Sequence, residues 1–420
     1  MASTRSKAPA SLRATSMAAH SHLSSSAAGS AASPPMPAPG PASPAAPASA
    51  THHGNSNGSI NLIDADLGHR LPDPNPAVRN LLITGGAGFI ASFLVRKLVL
   101  LYSEWSIFVV DKLDYCASLR AFDDIRLCSN FEFIKGDFTS HDFMLFLLKT
   151  KNIDTIVHLA AQTHVDNSFG NSLEFTQNNV VGTHVLLETA RVHKLHRFIH
   201  ISTDEVYGDI PLTSPNANEE TILSPNNPYS ATKAAAECLV RAYHRSFGIP
   251  AIITRSNNVY GPGQYPEKVI PKFILLLLQG RKCPIHGDGS NARRYLYVAD
   301  VAHALDLIIQ RGEIGEIYNI GTDFELSNLA LTEQLVGIIR PGSKSVHDHI
   351  EFVEDRAFND RRYAIDSTKL RTLGWAPSVK FNEGIQKSID WYREYGDTWW
   401  SHADIESALR AHPLKPPAAH

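Results

Sequence analysis

Two short motifs hold the residues best suited to proton transfer. One places a hydroxyl beside two carboxylates, Thr203-Asp204-Glu205, and the other places Tyr229 and Lys233 one helical turn apart. Residues four apart share a helix face, so the ammonium can stabilise a phenolate that takes a proton from a sugar hydroxyl. A dehydrogenase needs only the tyrosine and the lysine. The acid pair therefore predicts that a second proton is removed and another delivered on one substrate, as in elimination of water.

Short apolar runs alternate with helical patterns and predict the elements that must position these motifs. The predicted strands are residues 81–84, 107–111, 131–134, 155–159, 197–202 and 251–254. Strands separated by helices indicate an α/β fold with a doubly wound parallel Rossmann sheet, which binds ligands at the carboxyl ends of its strands. A long helix is predicted over 173–192, with Val181, Val185 and Val192 facing inward.

Four segments of different composition predict the domain organisation. Residues 1–77 are rich in Ala, Ser and Pro and are expected to be a disordered extension. An organellar transit peptide is the alternative, which the Pro-rich block after Ser33 disfavours. We expect a NAD-binding Rossmann domain over 78–257, mainly a smaller C-terminal substrate-binding lobe over 258–402, and a flexible tail over 403–420.

Composition disfavours several classes of function. The chain has 420 residues, 43% of them apolar and 19% charged, and a formal net charge of −3. These values suit a globular cytoplasmic enzyme and not a nucleic-acid surface, which would be basic. Four widely spaced cysteines without a CxxC pair predict reduced thiols and no metal site. No apolar run reaches the roughly 20 residues that cross a bilayer, so we expect no membrane partner.

A glycine cluster after the first predicted strand indicates a dinucleotide site. Gly85 and Gly88 allow a tight turn and a close approach of phosphate to the amides that open a helix. Such a cluster alone often marks only a turn, but here Asp111 ends the next strand. Its carboxylate can bind both ribose hydroxyls and would repel a 2′-phosphate, so NAD is favoured over NADP, although Lys112 weakens this preference. Asp137 is expected near the adenine or, alternatively, as a strand-end cap.

Seven motifs in order along residues 80–395 resemble one family. They are TGGAGFIA, HLAAQTHVDNS, STDEVYG, PYSATKAAAE, NNVYGPGQYPEKVIPKF, PIHGDGSNARRYLYVADVA and VEDRAFNDRRYAIDSTKL. The set resembles the extended short-chain dehydrogenase/reductase family, specifically its nucleotide-sugar 4,6-dehydratases. The resemblance implies NAD contacts from Gly85, Gly88, Phe89, Ile90, Asp111, Lys112, Asp137, Phe138, Leu159, Ala160, Ala161, Tyr229 and Lys233.

The resemblance also implies a redox-neutral mechanism. Tyr229 deprotonates the C4 hydroxyl while hydride passes to NAD, Lys233 holds the nicotinamide ribose, and Thr203 binds the C4 oxygen. Glu205 then removes the C5 hydrogen and Asp204 protonates the departing C6 hydroxyl. Two adjacent carboxyls in a closed site tend to share one proton, which supplies one acid and one base.

Substrate contacts are implied in the second lobe, at Thr203, Asn258, Glu267, Lys268, His286, Arg293, Arg356 and Asn359. For Glu267 and Lys268, a surface ion pair is an equal alternative. Four features depart from bacterial dTDP-glucose enzymes, namely His286, Arg294, Phe358-Asn359 and Ala117-Ser118. They look more like the UDP-glucose 4,6-dehydratases of plant and fungal rhamnose pathways, so UDP-glucose is the favoured substrate.

Three alternatives to this prediction remain. A dTDP-glucose 4,6-dehydratase differs only in the base and one ribose hydroxyl of its substrate. An epimerase or decarboxylase would share the glycine turn and YxxxK motif but usually lacks the acid pair. A non-catalytic NAD-binding scaffold would be expected to lose catalytic residues, and here none is lost. The resemblance further implies a homodimer built on the helices that follow Asn171 and Tyr229.

Overall fold

A computed structural model describes residues 66–355 and 358–410, which belong to one compact unit. Its centre is a parallel sheet of seven strands, β1 (Asn80–Thr84), β2 (Ser106–Asp111), β3 (Phe131–Lys135), β4 (Thr155–His158), β5 (Arg197–Thr203), β6 (Ala251–Ser256) and β10 (Ile317–Ile320). Their spatial order is β10-β6-β5-β4-β1-β2-β3. Two smaller sheets are formed by β7 (Asn258–Tyr260), β9 (Ala292–Tyr297) and β11 (Glu325–Ser327), and by β8 (Cys283–His286) and β12 (Ile350–Val353).

The α-helices of the described residues flank the sheet and build the second lobe. They are α1 (Phe89–Leu101), α2 (His141–Thr150), α3 (Val165–Gly170), α4 (Ser172–Phe175), α5 (Gly182–His193), α6 (Pro228–Phe247), α7 (Val269–Leu278), α8 (Val298–Arg311), α9 (Asn328–Ile339), α10 (Thr368–Thr372), α11 (Phe381–Tyr395) and α12 (His402–Leu409). Among the described residues, no helix combines the length and apolarity needed to span a bilayer.

The central strands are buried on both faces, as their unbroken apolar runs predict. Leu81, Leu82 and Ile83 of β1 have no exposed surface. The order of strands reverses at β1, which pairs with β2 on one side and with β4 on the other. A crevice opens at the carboxyl end of a parallel sheet where its order reverses, and ligands bind there. The fold thus places the glycine turn and the end of β5 along one edge.

The structure confirms the α/β fold, with all six predicted strands present, and adds a seventh. β10 comes from residues 317–320, beyond the predicted boundary at 257, and pairs in parallel with β6. Its short run, Ile317-Tyr318-Asn319-Ile320, lies among polar and glycine residues and gives a weak signal in the sequence. The boundary between the Rossmann domain and the lobe stays a prediction.

The predicted inward face of the 173–192 helix is wrong. Val181 and Val192 are 38% and 50% exposed, whereas Leu186, Leu187 and Ala190 of α5 are fully buried. Between α4 and α5 the chain makes a π-helical turn, Thr176–Val181. A π turn holds more residues than an α turn and rotates the faces of the helix that follows it. A pattern that assumes 3.6 residues per turn throughout therefore selects the wrong side.

The described parts of both predicted terminal segments contact the folded unit. Asp66 accepts hydrogen bonds from the Tyr297 hydroxyl (2.8 Å) and from Lys387 (2.6 Å), and the Leu67 carbonyl accepts one from Lys97 (2.8 Å). At the other end, α12 buries Ile405 and Leu409. These contacts depart from the expectation of disorder over 66–77 and of a flexible tail from 403. Residues 1–65 and 411–420 lie outside the described residues.

Candidate active site

The acid pair lies in a tight turn at the carboxyl end of β5. A 3₁₀ turn, Asp204–Tyr207, begins directly after Thr203, whose hydroxyl accepts the Glu205 N–H (3.3 Å) and donates to Asp204 Oδ1 (3.2 Å). The turn presents the hydroxyl and both carboxyls at the edge of the sheet. This is the predicted constellation, in one piece of backbone.

Each carboxyl has its own amide partner. Asn257 donates its side-chain N–H to Asp204 Oδ2 (2.7 Å), and Asn227 donates to Glu205 Oε2 (3.1 Å). Asp204 is only 2% exposed, whereas Glu205 lines the main cavity. The two acids are therefore held apart, one behind the cavity wall and one on it.

Burial controls the proton affinity of both acids. It raises the pKa of Asp204 to about 7, with a smaller increase from Glu205, against the lowering effects of Asn257, Thr203 and Arg293. Burial likewise raises the pKa of Glu205, opposed by Asn227 and Arg293. Near neutral pH the pair can thus hold a proton that one member donates while the other accepts one.

Tyr229 and Lys233 lie in the first two turns of α6. The helix begins with a capping box, because Asn227 accepts the Ser230 N–H (2.8 Å) and the Ser230 hydroxyl accepts the Asn227 N–H (3.2 Å), with Pro228 at the first position. This fixed start aims both side chains into the main cavity.

The tyrosine and the lysine have shifted pKa values in opposite directions. Burial, with Glu205 and Asp204, raises the pKa of Tyr229, while a hydrogen bond with Thr203 opposes the rise. Burial lowers the pKa of Lys233 to about 8, against the attraction of Glu237. The Lys233 ammonium donates to the Ile201 carbonyl (2.6 Å), which fixes the side chain beneath the cavity.

A cavity of about 320 Å³ runs from the glycine turn to the acid pair. Most residues expected to contact a cofactor line it, namely Gly85, Gly88, Phe89, Ile90, Asp111, Lys112, Phe138, Leu159, Ala160, Ala161, Tyr229 and Lys233. Asp137 does not. Its carboxylate accepts the N–H (2.9 Å) and the hydroxyl (2.8 Å) of Thr139, which supports the alternative of a strand-end cap.

The residues around this cavity fit a dinucleotide. Gly85 has a φ of +67°, and a Cβ there would lie 2.6 Å from Ala160 Cα, so only glycine suits the turn. The N-terminus of α1 has no side-chain cap, which leaves its first amides for phosphate oxygens. Asp111 ends β2 and accepts the N–H groups of Ala87 (3.1 Å) and Leu113 (2.8 Å), which orient its carboxylate in the cavity wall.

Two hydrogen bonds cross from the Rossmann loops to the second lobe at this cavity. The Tyr115 hydroxyl donates to Glu267 (2.8 Å), and the Lys268 ammonium donates to the Thr163 carbonyl (2.7 Å). Glu267 and Lys268 line the cavity together with Asn258, as the sequence predicts. The Lys268 ammonium lies 3.8 Å from Glu267 Oε1, so the alternative of an ion pair between these two residues also has support.

His286, Arg293 and Asn359, the other predicted substrate residues that the structure describes, are not among the residues that line this cavity. The Arg293 guanidinium stacks 4.5 Å from the Tyr363 ring centre and donates to Asn359 Oδ1 (3.3 Å). Its charge lowers the pKa of both acids, which places it on their side of the lobe. His286 contacts the Glu354 carbonyl (3.2 Å). Arg356 lies outside the described residues.

Arg294 and Phe358, both expected near a base pocket, differ in exposure. Arg294 is 6% exposed. Its guanidinium donates to the carbonyls of Thr322 and Ile365 (both 3.2 Å) and to Glu325 (3.2 Å). Phe358 is 46% exposed. A buried guanidinium with all these partners joins β9, β11 and the following loops, so it acts on the lobe and not on a ligand directly.

Sequence reasoning missed the two amides that hold the acids. Asn227 could have been found, since an asparagine before proline and a helical pattern is a typical N-cap. Asn257 gives no such signal, because its contact with Asp204 joins residues 53 apart in sequence.

Comparisons with known proteins identify relatives of this chain. The family model for GDP-mannose 4,6 dehydratase matches residues 82–388. An Arabidopsis thaliana trifunctional enzyme, whose name includes UDP-glucose 4,6-dehydratase, is 52% identical over 80% of this chain and 50% of its own length. The chain thus spans about half the length of that relative. A Bos taurus dTDP-D-glucose 4,6-dehydratase is 46% identical over 83% of this chain and 97% of its own.

Solved structures show the same relationship. A dTDP-glucose 4,6-dehydratase from Streptomyces venezuelae, crystallised with NAD, has a TM-score of 0.72 and 38% identity over 77% of this chain and 99% of its own. A UDP-glucose 4-epimerase from Thermotoga maritima has a TM-score of 0.69 and 29% identity over 76% of this chain and 100% of its own. Since the family model covers well over half the chain and the acid pair is in place, the chain belongs to the nucleotide-sugar 4,6-dehydratase family.

Proposed function

We propose that this protein converts UDP-glucose to its 4-keto-6-deoxy derivative by a redox-neutral dehydration with NAD as resident cofactor, in a rhamnose or deoxysugar pathway. The observation that carries the proposal is the acid pair. Asp204 has a pKa near neutrality and Glu205 lies on the cavity wall, both beside Tyr229. A dehydratase needs an acid and a base there, and a simple dehydrogenase needs neither.

The first proton transfer belongs to Tyr229 and Thr203. Tyr229 takes the C4 hydroxyl proton, and Thr203, in a hydrogen bond with the phenol, binds the same C4 oxygen. Burial raises the pKa of the phenol, so its deprotonation needs positive charge nearby. Lys233 supplies that charge from the next turn of α6 and holds the cofactor ribose.

The elimination belongs to the acid pair. Oxidation at C4 makes the C5 hydrogen acidic, and Glu205, partly exposed to the cavity, removes it. Asp204 delivers a proton to the departing C6 hydroxyl. The double bond left between C5 and C6 would then be reduced by return of the hydride to C6 and of a proton to C5. General acid–base catalysis typically contributes about 10²–10⁴-fold to rate, so each carboxyl should matter greatly.

The cofactor would be held by the glycine turn, the α1 amides and Asp111. When bound, NAD supplies reversible hydride acceptance at the sugar. Because the Asp111 carboxylate would repel a 2′-phosphate, the cavity favours NAD over NADP. Leu159, Ala160 and Ala161 also line this cavity.

The choice of UDP-glucose over dTDP-glucose has a narrower basis. The Arabidopsis relative named for UDP-glucose shares 52% identity, against 46% for the Bos taurus relative named for dTDP-glucose. The substituted positions 286, 294, 358 and 359 lie in the lobe that would hold the base. Arg294, His286 and Asn359 all have hydrogen-bond partners within the protein. The preference for UDP-glucose therefore rests on the substitutions themselves and on the higher identity.

We further infer a cytoplasmic homodimer. Leu173, Val181, Val192 and Phe247 are 81%, 38%, 50% and 54% exposed on the segments that carry α4, α5 and α6. These helices contact one another, and exposed apolar side chains on neighbouring helices are typical of an interface. All four cysteines are free, which suits a reducing compartment.

A product assay tests the proposal. Purified protein is incubated separately with UDP-glucose and with dTDP-glucose, without an added oxidant. The masses of the products are measured by mass spectrometry. A product lighter by one water from UDP-glucose, at the higher kcat/KM, is expected. A methyl group is worth only about 1–3 kcal/mol, so the preference can be modest. A C4 epimer of unchanged mass would instead support an epimerase.

A further inference from the structure

One buried amide determines where the acid of the pair can carry its proton. Asn257 follows β6 directly and is 2% exposed. Its side-chain oxygen accepts the backbone N–H of Thr322 (3.0 Å), and its side-chain nitrogen donates to Asp204 Oδ2 (2.7 Å). It thus bridges the loop after β10 and the acid turn after β5.

The orientation of this amide is dictated by chemistry. A backbone N–H only donates, so the atom facing Thr322 must be the oxygen of the Asn257 amide. The NH₂ group must then face Asp204. The fit is close, because a Cβ at residue 321 would lie 2.7 Å from the Asn257 oxygen, and glycine occupies that position.

The amide leaves Asp204 with one oxygen free to be protonated. Oδ2 already accepts an N–H, and a proton placed there would face another proton. Oδ1 faces the Thr203 hydroxyl (3.2 Å), which can rotate to accept instead of donate. Thr203 lines the cavity, so a proton on Oδ1 lies on the substrate side.

We propose that Asn257 is a positioning residue that confines the Asp204 proton to Oδ1, from which it is delivered to the leaving hydroxyl. This inference rests on the proposed dehydration and adds a residue to it. Asn257 also lines the cavity, but its amide donates to Asp204 and accepts from Thr322, so its proposed role is in elimination and not in the oxidation at C4. Its loss should therefore slow elimination and spare oxidation.

Two variants test the role in complementary ways. Asn257→Asp keeps the acceptor for Thr322 but replaces the donor by a second carboxyl, which draws the shared proton to Oδ2. Asn257→Ala removes the donor altogether. Asn130→Ala is the control, since the Asn130 amide donates to the backbone carbonyls of Val99 (3.0 Å) and Tyr102 (3.3 Å). The substitution therefore removes a side-chain amide and its hydrogen bonds away from the acid pair.

The readout separates the two chemical stages. Single turnovers with UDP-glucose are quenched and analysed by mass spectrometry. The oxidised sugar nucleotide is lighter than UDP-glucose by two hydrogen atoms, and the product is lighter by one water. In both Asn257 variants, elimination should fall by about 10–100-fold, part of the usual general-acid contribution. The oxidised sugar should form at nearly the native rate and accumulate. Melting temperatures show whether each variant is folded.

The pH profile supplies a signature that a structural role would not give. The hydrogen bond from Asn257 lowers the pKa of Asp204, so Asn257→Ala should raise that pKa. The fall of the elimination rate with rising pH should then move to higher pH. Oxidation and elimination that slow together, or a profile that does not move, would overturn the proposal. If the native protein itself releases no water, the proposed function fails and the role of Asn257 falls with it.

Discussion

At the scale of single residues, Asp204 and Glu205 are neighbours in the chain with different surroundings. Asp204 is held behind the cavity wall by Asn257 and Thr203, and Glu205 is on the wall beside Asn227. This difference supports the proposed roles of Asp204 as acid and Glu205 as base, because a proton donor must stay protonated near neutrality and a base must reach its substrate.

The proposed roles of Asp204 and Glu205 can be tested by replacing each carboxyl with the amide of the same size. Asp204→Asn cannot donate the proton to the C6 hydroxyl, and Glu205→Gln cannot accept the C5 proton. Both variants should still oxidise the sugar and then stall, with absorbance of reduced nicotinamide that rises and persists in a single turnover. Tyr229→Phe is the contrasting variant, since it should lose the oxidation itself. Release of the 6-deoxy product by Asp204→Asn at the native rate would exclude Asp204 as the acid.

Burial of Asp204 should also make stability depend on pH. Its pKa is raised in the folded protein from an ordinary 3.8 to about 7, so folding favours the protonated form. The stability that this contributes is present below about pH 4 and is lost as the pH rises towards 7. Asp204→Asn should therefore stabilise the protein at pH 8 relative to pH 4, by up to about 4 kcal/mol. Denaturant unfolding at both pH values measures the difference, which should be absent if Asp204 is ionised at little cost.

At the scale of elements, a buried ion pair fixes the acid turn to its neighbours. Arg255 of β6 and Glu237 of α6 pair at 2.6 Å, with their side chains 1% and 0% exposed. Arg255 also donates to the Tyr207 hydroxyl (2.6 Å), which donates to Asn319 of β10 (2.9 Å). Two strands, the helix that carries Lys233, and the acid turn are thereby held in one register.

Breaking this pair should destabilise the whole unit. Glu237→Ala leaves an uncompensated guanidinium in the interior, which typically costs about 3–5 kcal/mol. Asp390→Ala, which removes an exposed partner of Arg393 on α11, is the control and should leave the free energy of unfolding nearly unchanged. Urea titration measures both. Similar small effects for the two variants would mean that the buried pair contributes no more than a surface pair.

The same elements show what sequence reasoning can reach. Six strands and the catalytic motifs were predictable because buried strands and the YxxxK spacing are local patterns. The seventh strand and the rotated face of α5 were not, since one rests on pairing with β6 and the other on a π turn. In the site, the contacts of Asn257 and of the buried Arg294 join segments that are distant in sequence. The spacing of residues within a motif cannot predict such contacts.

At the scale of the whole molecule, the exposed apolar side chains on the α4–α6 layer predict association. Val181→Lys together with Val192→Glu should shift the protein towards monomer, because charged side chains there would be desolvated in the interface. Leu127→Asp is the control, since Leu127 is 92% exposed on another part of the chain. Light scattering after gel filtration measures the mass. A native protein that is already a monomer, or a dimer unaffected by the paired substitution, would contradict the inferred interface.

The two hydrogen bonds from Tyr115 to Glu267 and from Lys268 to the Thr163 carbonyl bear on how the reaction rate depends on the nicotinamide pool of the cell. They join the two sides of the cavity, so we expect them to slow the release of a dinucleotide bound there. An enzyme that returns its hydride to the sugar within each turnover does not need to exchange its bound cofactor with free NAD or NADH. Its output should then follow the supply of sugar nucleotide and be insulated from the balance of oxidised and reduced nicotinamide that governs ordinary dehydrogenases.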